Sequence, residues 1–156
     1  MNARINDIDQ AVAGHIVKYV NSANKVIADS TLPVATQELV KLRASQINGC
    51  GFCTDMHSKD AMAAGETPQR LNLVAAWREA TVFTEAERAA LELAEEGTRI
   101  ADAAGGVSDE VWEAARKHYD ADQLAALVGL IALINSYNRM NVMLRTPAGS
   151  YQPEAH

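Results

Sequence analysis

Apolar residues recur along most of this chain at the three- and four-residue spacing of one helix face. The first such stripe consists of Ile8, Val12, Ile16, Tyr19 and Val20. It predicts a helix over about residues 7–28. No stretch shows the alternation of apolar and polar residues that is typical of a half-buried strand, and no internal repeat is visible. The pattern therefore predicts an all-α fold.

Capping and turn residues divide the rest of the chain into further helices. Pro33 precedes the second helix, and Asn48 and Gly49 end it because both tolerate left-handed backbone angles. The second helix is expected over about residues 34–47 and the third over about residues 50–64. A fourth helix should begin at Thr67-Pro68, and a fifth should begin at Thr84, with Glu87 in its capping box, and end at about Ala104. A sixth should begin at Ser108, and the last should run from Asp122 to about Leu144. Short connections between them are typical of a compact bundle, here of about six to seven helices.

Length and charge narrow the classes of protein to consider. The 156 residues predict a single domain over residues 1–156. The net charge is −6, and no Lys/Arg cluster indicates a nucleic-acid or anionic-membrane surface. The N-terminus lacks the apolar segment of a secretory signal, and the longest apolar run, Leu124–Ile134, is shorter than the about 20 residues that span a bilayer. We therefore expect a cytoplasmic protein.

The two cysteines, Cys50 and Cys53, are three residues apart. A lone C-x-x-C in a chain without a secretory signal indicates redox or metal chemistry rather than a structural disulfide framework. At about 100° per residue, Cys50, Cys53 and His57 share one face of the predicted third helix. Glu38 lies on the preceding helix, which the turn at Gly49 folds back alongside. We therefore expect two thiols, an imidazole and a carboxylate around one small cavity.

These residue types suit thiol chemistry, because a thiolate is the nucleophile while a free cysteine has a pKa of about 8.5. The N-terminus of the helix favours negative charge there, which marks Cys50 as the thiol of lower pKa. His57 exchanges protons near neutral pH, and Glu38 is a candidate to orient it. After one thiol is oxidised, the other resolves the product as a disulfide.

Other interpretations of the same residues stay open. Cys50, Cys53 and His57 also match three zinc ligands with an open fourth position, and two buried thiols are common in apolar cores. Asn138 and Asn141 interrupt an apolar helix and need hydrogen-bond partners if buried, and Asn138 is a weaker candidate to line the site. We interpret the cluster of Glu92, Glu95 and Glu96 as a solvated helix face.

Glu38, Cys50, Cys53 and His57 together resemble the active-site signature of the alkylhydroperoxidase D-like (AhpD-like) branch of the carboxymuconolactone decarboxylase superfamily. The likeness extends to the flanking segments 38–50, 59–61, 64–67, 76–79 and 134–141. It covers about residues 5–145, which we expect to form the domain core. One departure is Phe52, where some peroxidase members of the family carry a histidine between the cysteines.

The resemblance implies an all-helical homo-oligomer, a trimer or hexamer, with no metal or organic cofactor. It implies an antioxidant peroxidase or disulfide reductase in which Cys53 is the peroxidatic thiol and Cys50 the resolving thiol. Glu38 and His57 are then the proton relay. The implied partners are a peroxide or disulfide substrate and an external dithiol electron donor of the lipoyl or thioredoxin type. Two alternatives are a carboxymuconolactone decarboxylase-type acid–base enzyme and a non-catalytic redox sensor.

Overall fold

The computed structural model describes residues 3–4 and 11–153 of the chain. Within them the fold is all-α without a strand, which confirms the predicted bundle of about six to seven helices. The α-helices are α1 (Ala11–Ala28), α2 (Val34–Ile47), α3 (Gly51–Ala63), α4 (Pro68–Leu73), α5 (Glu85–Thr98), α6 (Asp109–Arg116) and α7 (Ala121–Leu144), and a 3₁₀ helix (Val74–Glu79) follows α4. The predicted start of the first helix, residues 7–10, lies outside the described residues.

The turn between α2 and α3 places the cysteine pair. Asn48 forms the C-terminal cap of α2, and Gly49 follows with a φ of 64°, a left-handed angle that glycine adopts without a steric penalty. Cys50 then returns to an extended conformation and forms the N-cap of α3. The predicted end of the second helix at Asn48 and Gly49 is confirmed.

The predicted cap of the last helix, Asp122, is wrong by two residues. Asp120 caps α7, because its carboxylate accepts the backbone N–H of Gln123 at 2.8 Å. The Gln123 side chain accepts the backbone N–H of Asp120 in return, at 3.1 Å. This reciprocal pair satisfies two N–H groups that the first turn of a helix leaves without partners. Asp122 lies in the first turn, where its charge favours the helix dipole.

Two further boundaries differ from the prediction. The fifth helix ends at Thr98 instead of about Ala104, and Ile100 just beyond its end is 58% exposed. Helices in proteins are stabilised mainly by packing of an apolar face, so good helix formers without a packing partner do not extend α5. The predicted fourth helix is two elements, α4 to Leu73 and a 3₁₀ helix from Val74, and the backbone at Ala76 within the 3₁₀ helix is not helical.

The second helix, α2, is the centre of the bundle and packs against α3, α5 and α7. Its side chains enter each of three apolar clusters. Val40 belongs to the first, which includes Leu127 and Leu130, and Leu42 to the second, which includes Trp77 and Leu91. Ala44 belongs to the third, which includes Ile134. The third cluster also contains Cys50 and Cys53. The core therefore fixes the height and rotation of the helix that carries Glu38.

The outer helices differ in how much of their apolar surface is covered. The run Leu124–Ile134 lies in α7, where Gly129 lets α1 approach closely: a Cβ there would lie 3.3 Å from the Ile27 Cδ1 atom. On α1 the buried residue is Ile27. An apolar stripe on the same helix is exposed and consists of Val12, Ile16, Tyr19 and Val26. Within the described residues, no helix combines the length and apolar character needed to cross a bilayer.

The segment after α7 returns across α3. Lys59 of α3 donates to the Tyr151 carbonyl at 2.8 Å, and the Gly149 N–H donates to Asp55 at 2.9 Å. The Tyr151 hydroxyl donates to Asp60 at 2.8 Å. These bonds hold the C-terminal segment against the helix that carries Cys53.

The interpretation of Glu92, Glu95 and Glu96 as a solvated face is wrong for Glu95, which is buried. Its carboxylate accepts from Arg43 Nε at 2.7 Å, from Trp77 Nε1 at 2.9 Å and from Arg78 Nη2 at 2.9 Å. Burial raises the pKa of Glu95, but these donors outweigh burial and hold it below the ordinary value. Glu95 therefore joins α2, α5 and the 3₁₀ helix.

Replacing Glu95 with alanine is expected to destabilise the fold strongly, because it leaves Arg43 and the Trp77 N–H buried without their acceptor. The expected loss is about 3–5 kcal/mol in the free energy of unfolding, measured by urea titration with circular dichroism. The matched control is Glu92→Ala, which removes a more exposed ion pair with Arg78 and should cost less than about 1 kcal/mol. Equal losses in the two variants would contradict this role.

Candidate active site

The two cysteine sulfurs are in contact at the start of α3. Their Sγ atoms are 2.7 Å apart, and both residues are thiols in the structure. Because Cys50 is the N-cap, its sulfur accepts the backbone N–H of Cys53 at 3.3 Å and also contacts the sulfur of Cys53. The first turn of the helix thus directs a backbone donor and a second thiol at one sulfur.

The contact makes the two thiols titrate as a unit. The Cys53 S–H and backbone N–H stabilise the Cys50 thiolate and, against the opposing effect of burial, lower the pKa of Cys50 to about 7. The pKa of Cys53 is raised, because its proton is donated to Cys50, because it is buried and because a charge on Cys50 repels a second one. Above about pH 7 the pair therefore holds one negative charge and one proton.

Access to the pair is one-sided. A cavity of about 430 Å³ is bounded by α1, α2, α3 and α7, and Cys53 and His57 line it while Cys50 does not. Most of its wall is apolar, contributed by Val17, Phe52, Met56, Leu130, Ile134 and Met140. Cys53 therefore lies at the wall of the cavity, although it is 0% exposed, whereas Cys50 does not reach that wall.

His57 is held by a carboxylate from α2. The His57 Nδ1 and Glu38 Oε2 atoms are 3.2 Å apart, and Lys41 forms an ion pair with the other oxygen of Glu38. Burial raises the pKa of Glu38, but the hydrogen bond from His57 and the charge of Lys41 outweigh burial and hold it below the ordinary value. Glu38 is therefore ionised at neutral pH, so Nδ1 of His57 donates to it and Nε2 is the nitrogen left to exchange protons with a bound molecule.

Two amides of α7 complete the surroundings of the thiols. Asn141 Nδ2 donates to Cys53 Sγ at 3.5 Å and also lines the cavity. Asn138 is fully buried, and its amide contact lowers the pKa of both cysteines. The sequence pattern indicated Asn138 only as a weaker candidate to line the site and did not indicate a role there for Asn141. The signal that could have identified both residues is that they are polar side chains in an otherwise apolar helix.

The residues whose possible metal-ligand atoms lie close together are not the three that the zinc interpretation named. Among the described residues, Glu38, His57 and Asp60 form a group whose possible ligand atoms lie within 4.8 Å of one another. Cys50 and Cys53 are not in this group. Lys41 already pairs with Glu38, and its positive charge opposes a cation at the same place.

Comparison with known proteins gives a consistent class. The uncharacterized protein YdfG of Bacillus subtilis is 39% identical over 150 residues, which are 96% of this chain and 99% of YdfG. ATU0492 from Agrobacterium tumefaciens is a protein of unknown function, proposed to be the antioxidant defence protein AhpD. Its sequence is 35% identical to this chain, and its structure superposes with a TM-score of 0.88 over 96% of this chain and 100% of ATU0492. The debrominase Bmp8 is 17% identical with a TM-score of 0.77, over 88% and 72% of the two chains, and shows the fold alone.

The fold and the residues of this site define an all-α protein of the AhpD-like class, with a buried thiol pair at a helix start. The carboxymuconolactone decarboxylase family matches residues 17–96, about half of the chain. The chain therefore belongs to the carboxymuconolactone decarboxylase family, as an AhpD-like member.

The shared proton predicts a distinctive thiolate titration. Absorbance at 240 nm should report one thiolate per chain, rising as the pH increases through about 7, because the pKa of Cys50 is lowered to that value. Cys53→Ala removes the S–H donor and should move this midpoint upward. Cys50→Ala, the matched control, should abolish it. A first thiolate that forms only near the ordinary pKa of about 8.5 would contradict the shared-proton geometry.

Proposed function

We propose that this protein is a thiol-dependent peroxidase that reduces organic hydroperoxides through Cys50 and Cys53. The observation that carries the proposal is the pair of sulfurs 2.7 Å apart, of which Cys53 alone lines a cavity beside His57. Such a pair can be oxidised to a disulfide with little backbone movement. The AhpD-like relatives and the peroxidase-related names among similar structures support this reaction class.

In the first step the shared proton moves from Cys53 to Cys50 along the S–H···S contact. The Cys53 thiolate then attacks the terminal oxygen of R–O–OH, so an S–O bond forms and the O–O bond breaks. Cys53 becomes a sulfenic acid, and the oxygen that leaves takes a proton from His57, which regains one from solvent, and departs as an alcohol. Glu38 stabilises the charged form of His57 before this transfer.

In the second step the sulfur of Cys50 attacks the sulfur of Cys53. An S–S bond forms, the S–O bond and the S–H bond of Cys50 break, and the leaving hydroxide takes the proton of Cys50 to become water. The protein has lost two electrons and the peroxide has gained them. An external dithiol of the lipoyl or thioredoxin type reduces the disulfide by thiol–disulfide exchange and becomes a disulfide itself.

The cavity supports an organic rather than an inorganic peroxide. Its volume of about 430 Å³ lies in the range of small-molecule sites, and its wall is mostly apolar. Phe52 between the cysteines contributes to this wall, and its ring packs edge-on against Tyr151 at 6.5 Å between centroids. An apolar R group can therefore cover the thiol from water while the peroxide oxygens reach Cys53.

The surface and the chemistry extend the proposal to assembly and location. The exposed stripe of α1, Val12, Ile16, Tyr19 and Val26, supports a homo-oligomer, because exposed apolar surface is typical of subunit contacts. That the assembly is a trimer or a hexamer is what the family resemblance implies. A working dithiol needs reducing surroundings, which supports a cytoplasmic location. With a net charge of −6, we expect neither nucleic acid nor a membrane as a partner.

A decarboxylase-type acid–base enzyme is the second candidate, because His57 and Glu38 face the same cavity and need no thiol. Alkylation of the cysteines separates the two candidates. Loss of peroxide reduction on alkylation supports the proposal. Activity on a carboxylated lactone that survives alkylation supports the decarboxylase instead. A redox sensor without turnover would show disulfide-dependent assembly and no catalysis.

Serine variants of the cysteines should separate the two thiol roles. With cumene hydroperoxide, the wild-type chain should lose two hydrogens in its intact mass as the disulfide forms. Cys50→Ser should gain one oxygen, because the sulfenic acid on Cys53 has no resolving partner. Cys53→Ser should lose turnover and gain nothing at the same exposure. Unchanged peroxide turnover with a dithiol in both variants would overturn the proposal.

The proton relay predicts a loss of rate without a loss of thiols. His57→Gln should lower the rate of cumene hydroperoxide reduction by about 10²-fold or more, because the leaving oxygen has no positioned proton donor. Glu38→Gln should act in the same direction, since a neutral amide orients His57 without stabilising its charge. His118→Gln, an exposed histidine outside the cavity, is the control. Equal rates in the His57 and His118 variants would exclude a relay through His57.

A further inference from the structure

The two sulfurs are stabilised by different donors. Cys50 accepts the backbone N–H of Cys53 at 3.3 Å, from the first turn of α3. Cys53 accepts the side-chain N–H of Asn141 at 3.5 Å, from α7. A hydrogen bond to the charged form of a group favours that form. The helix start thus favours charge on Cys50, whereas Asn141 favours charge on Cys53.

The orientation of Asn141 is fixed by a second hydrogen bond. Its Nδ2 atom also donates to the Tyr137 carbonyl one turn earlier, at 3.0 Å, so both N–H bonds of the amide are used. Asn138 does not discriminate in the same way. Its amide donates to Ser45 Oγ at 3.0 Å, and its contact lowers the pKa of both cysteines. Of these two amides, Asn141 is the one that favours a single sulfur.

This difference matters because the charge and the access are on different sulfurs. The shared proton on Cys53 and the backbone N–H of Cys53 favour the resting charge on Cys50, which the cavity does not reach. Cys53 lines the cavity but holds the shared proton. Attack on a molecule in the cavity therefore requires the negative charge to move from the Cys50 sulfur to the Cys53 sulfur. A hydrogen-bond donor that contacts only Cys53 lowers the free-energy cost of this transfer.

We propose that Asn141 is a catalytic residue that directs the shared negative charge of the thiol pair onto Cys53, the sulfur that faces the cavity. Its place in the reaction rests on the proposed peroxidase function. The charge preference itself is a property of the thiols and exists with any electrophile. It also accounts for the assignment of roles: the thiol with the favoured resting charge resolves, and the thiol with the side-chain donor attacks.

The test isolates Cys53 in a Cys50→Ala background and measures its alkylation by iodoacetamide as a function of pH. Asn141→Leu removes the donor, and Asn141→Asp keeps the shape while replacing the donor with an acceptor. Each should lower the alkylation rate at pH 7 by about tenfold or more and raise the apparent pKa of Cys53, as expected for a lost hydrogen bond to a charged group. Met143→Ala, exposed on the same helix, should leave both unchanged.

The other titratable groups of the cavity are the same in every variant. They are Lys41 from α2, His57 and Asp60 from α3 and Tyr137 from α7, with the asparagines of α1 uncharged. Thermal unfolding identifies the variants that are folded, and the two substitutions differ in shape so that each checks the other. An unchanged alkylation rate and pKa in a folded Asn141 variant overturns the inference. Absence of peroxide turnover in the wild-type chain would instead count against the proposed function alone.

Discussion

The site depends on one interaction: the sulfur of an N-cap cysteine accepts hydrogen bonds from the residue three positions later. Most N-caps use a hydroxyl or carboxylate oxygen for this purpose. Here Cys50 accepts the backbone N–H of Cys53 and contacts its sulfur, so the geometry that begins α3 also brings the two sulfurs together. Both side chains are at most 1% exposed, so the charge of the pair is stabilised by fixed dipoles instead of water.

The neighbouring helices give this pair its chemical surroundings. α2 contributes the carboxylate that holds His57, and α7 contributes the amides that contact sulfur. Within the described part of the chain, every buried side-chain nitrogen and oxygen has a hydrogen-bond partner. A fully satisfied polar region is rigid, so it can place partial charges accurately. The debrominase Bmp8 has the same fold, and a fold alone does not determine a reaction. The side chains of the site determine it.

Much of the fold can be predicted from the sequence because helix caps and turns depend on residues that are close together in the chain. The caps Thr84 with Glu87 and Ser108, and the turn at Gly49, act within a few residues, and the structure has them as predicted. Asp120 and Asp122 are both good caps, and only the reciprocal bond with Gln123 decides between them. The early end of α5 depends on what packs beyond Thr98, which spacing along one helix does not reveal.

The candidate site divides in the same way. The spacing of Cys50, Cys53 and His57 on one helix predicted that they lie together, and the turn at Gly49 predicted that Glu38 lies near His57. The contact of Asn141 with Cys53 joins residues 88 positions apart and depends on the packing of α7 against α3. The burial of Glu95 is similar, because its partners come from two other elements.

The central position of α2 has a consequence for changes in chain length. One inserted or deleted residue rotates all later positions of a helix by about 100°. In α2 such a change between Val40 and Ile47 would turn the Glu38 carboxylate away from His57, because it rotates Glu38 relative to the part of α2 that leads into α3. It would also turn Leu39 and Val40 out of their clusters. The number of residues in α2 is therefore constrained twice, by the core and by the site, and neither constraint can be relaxed alone.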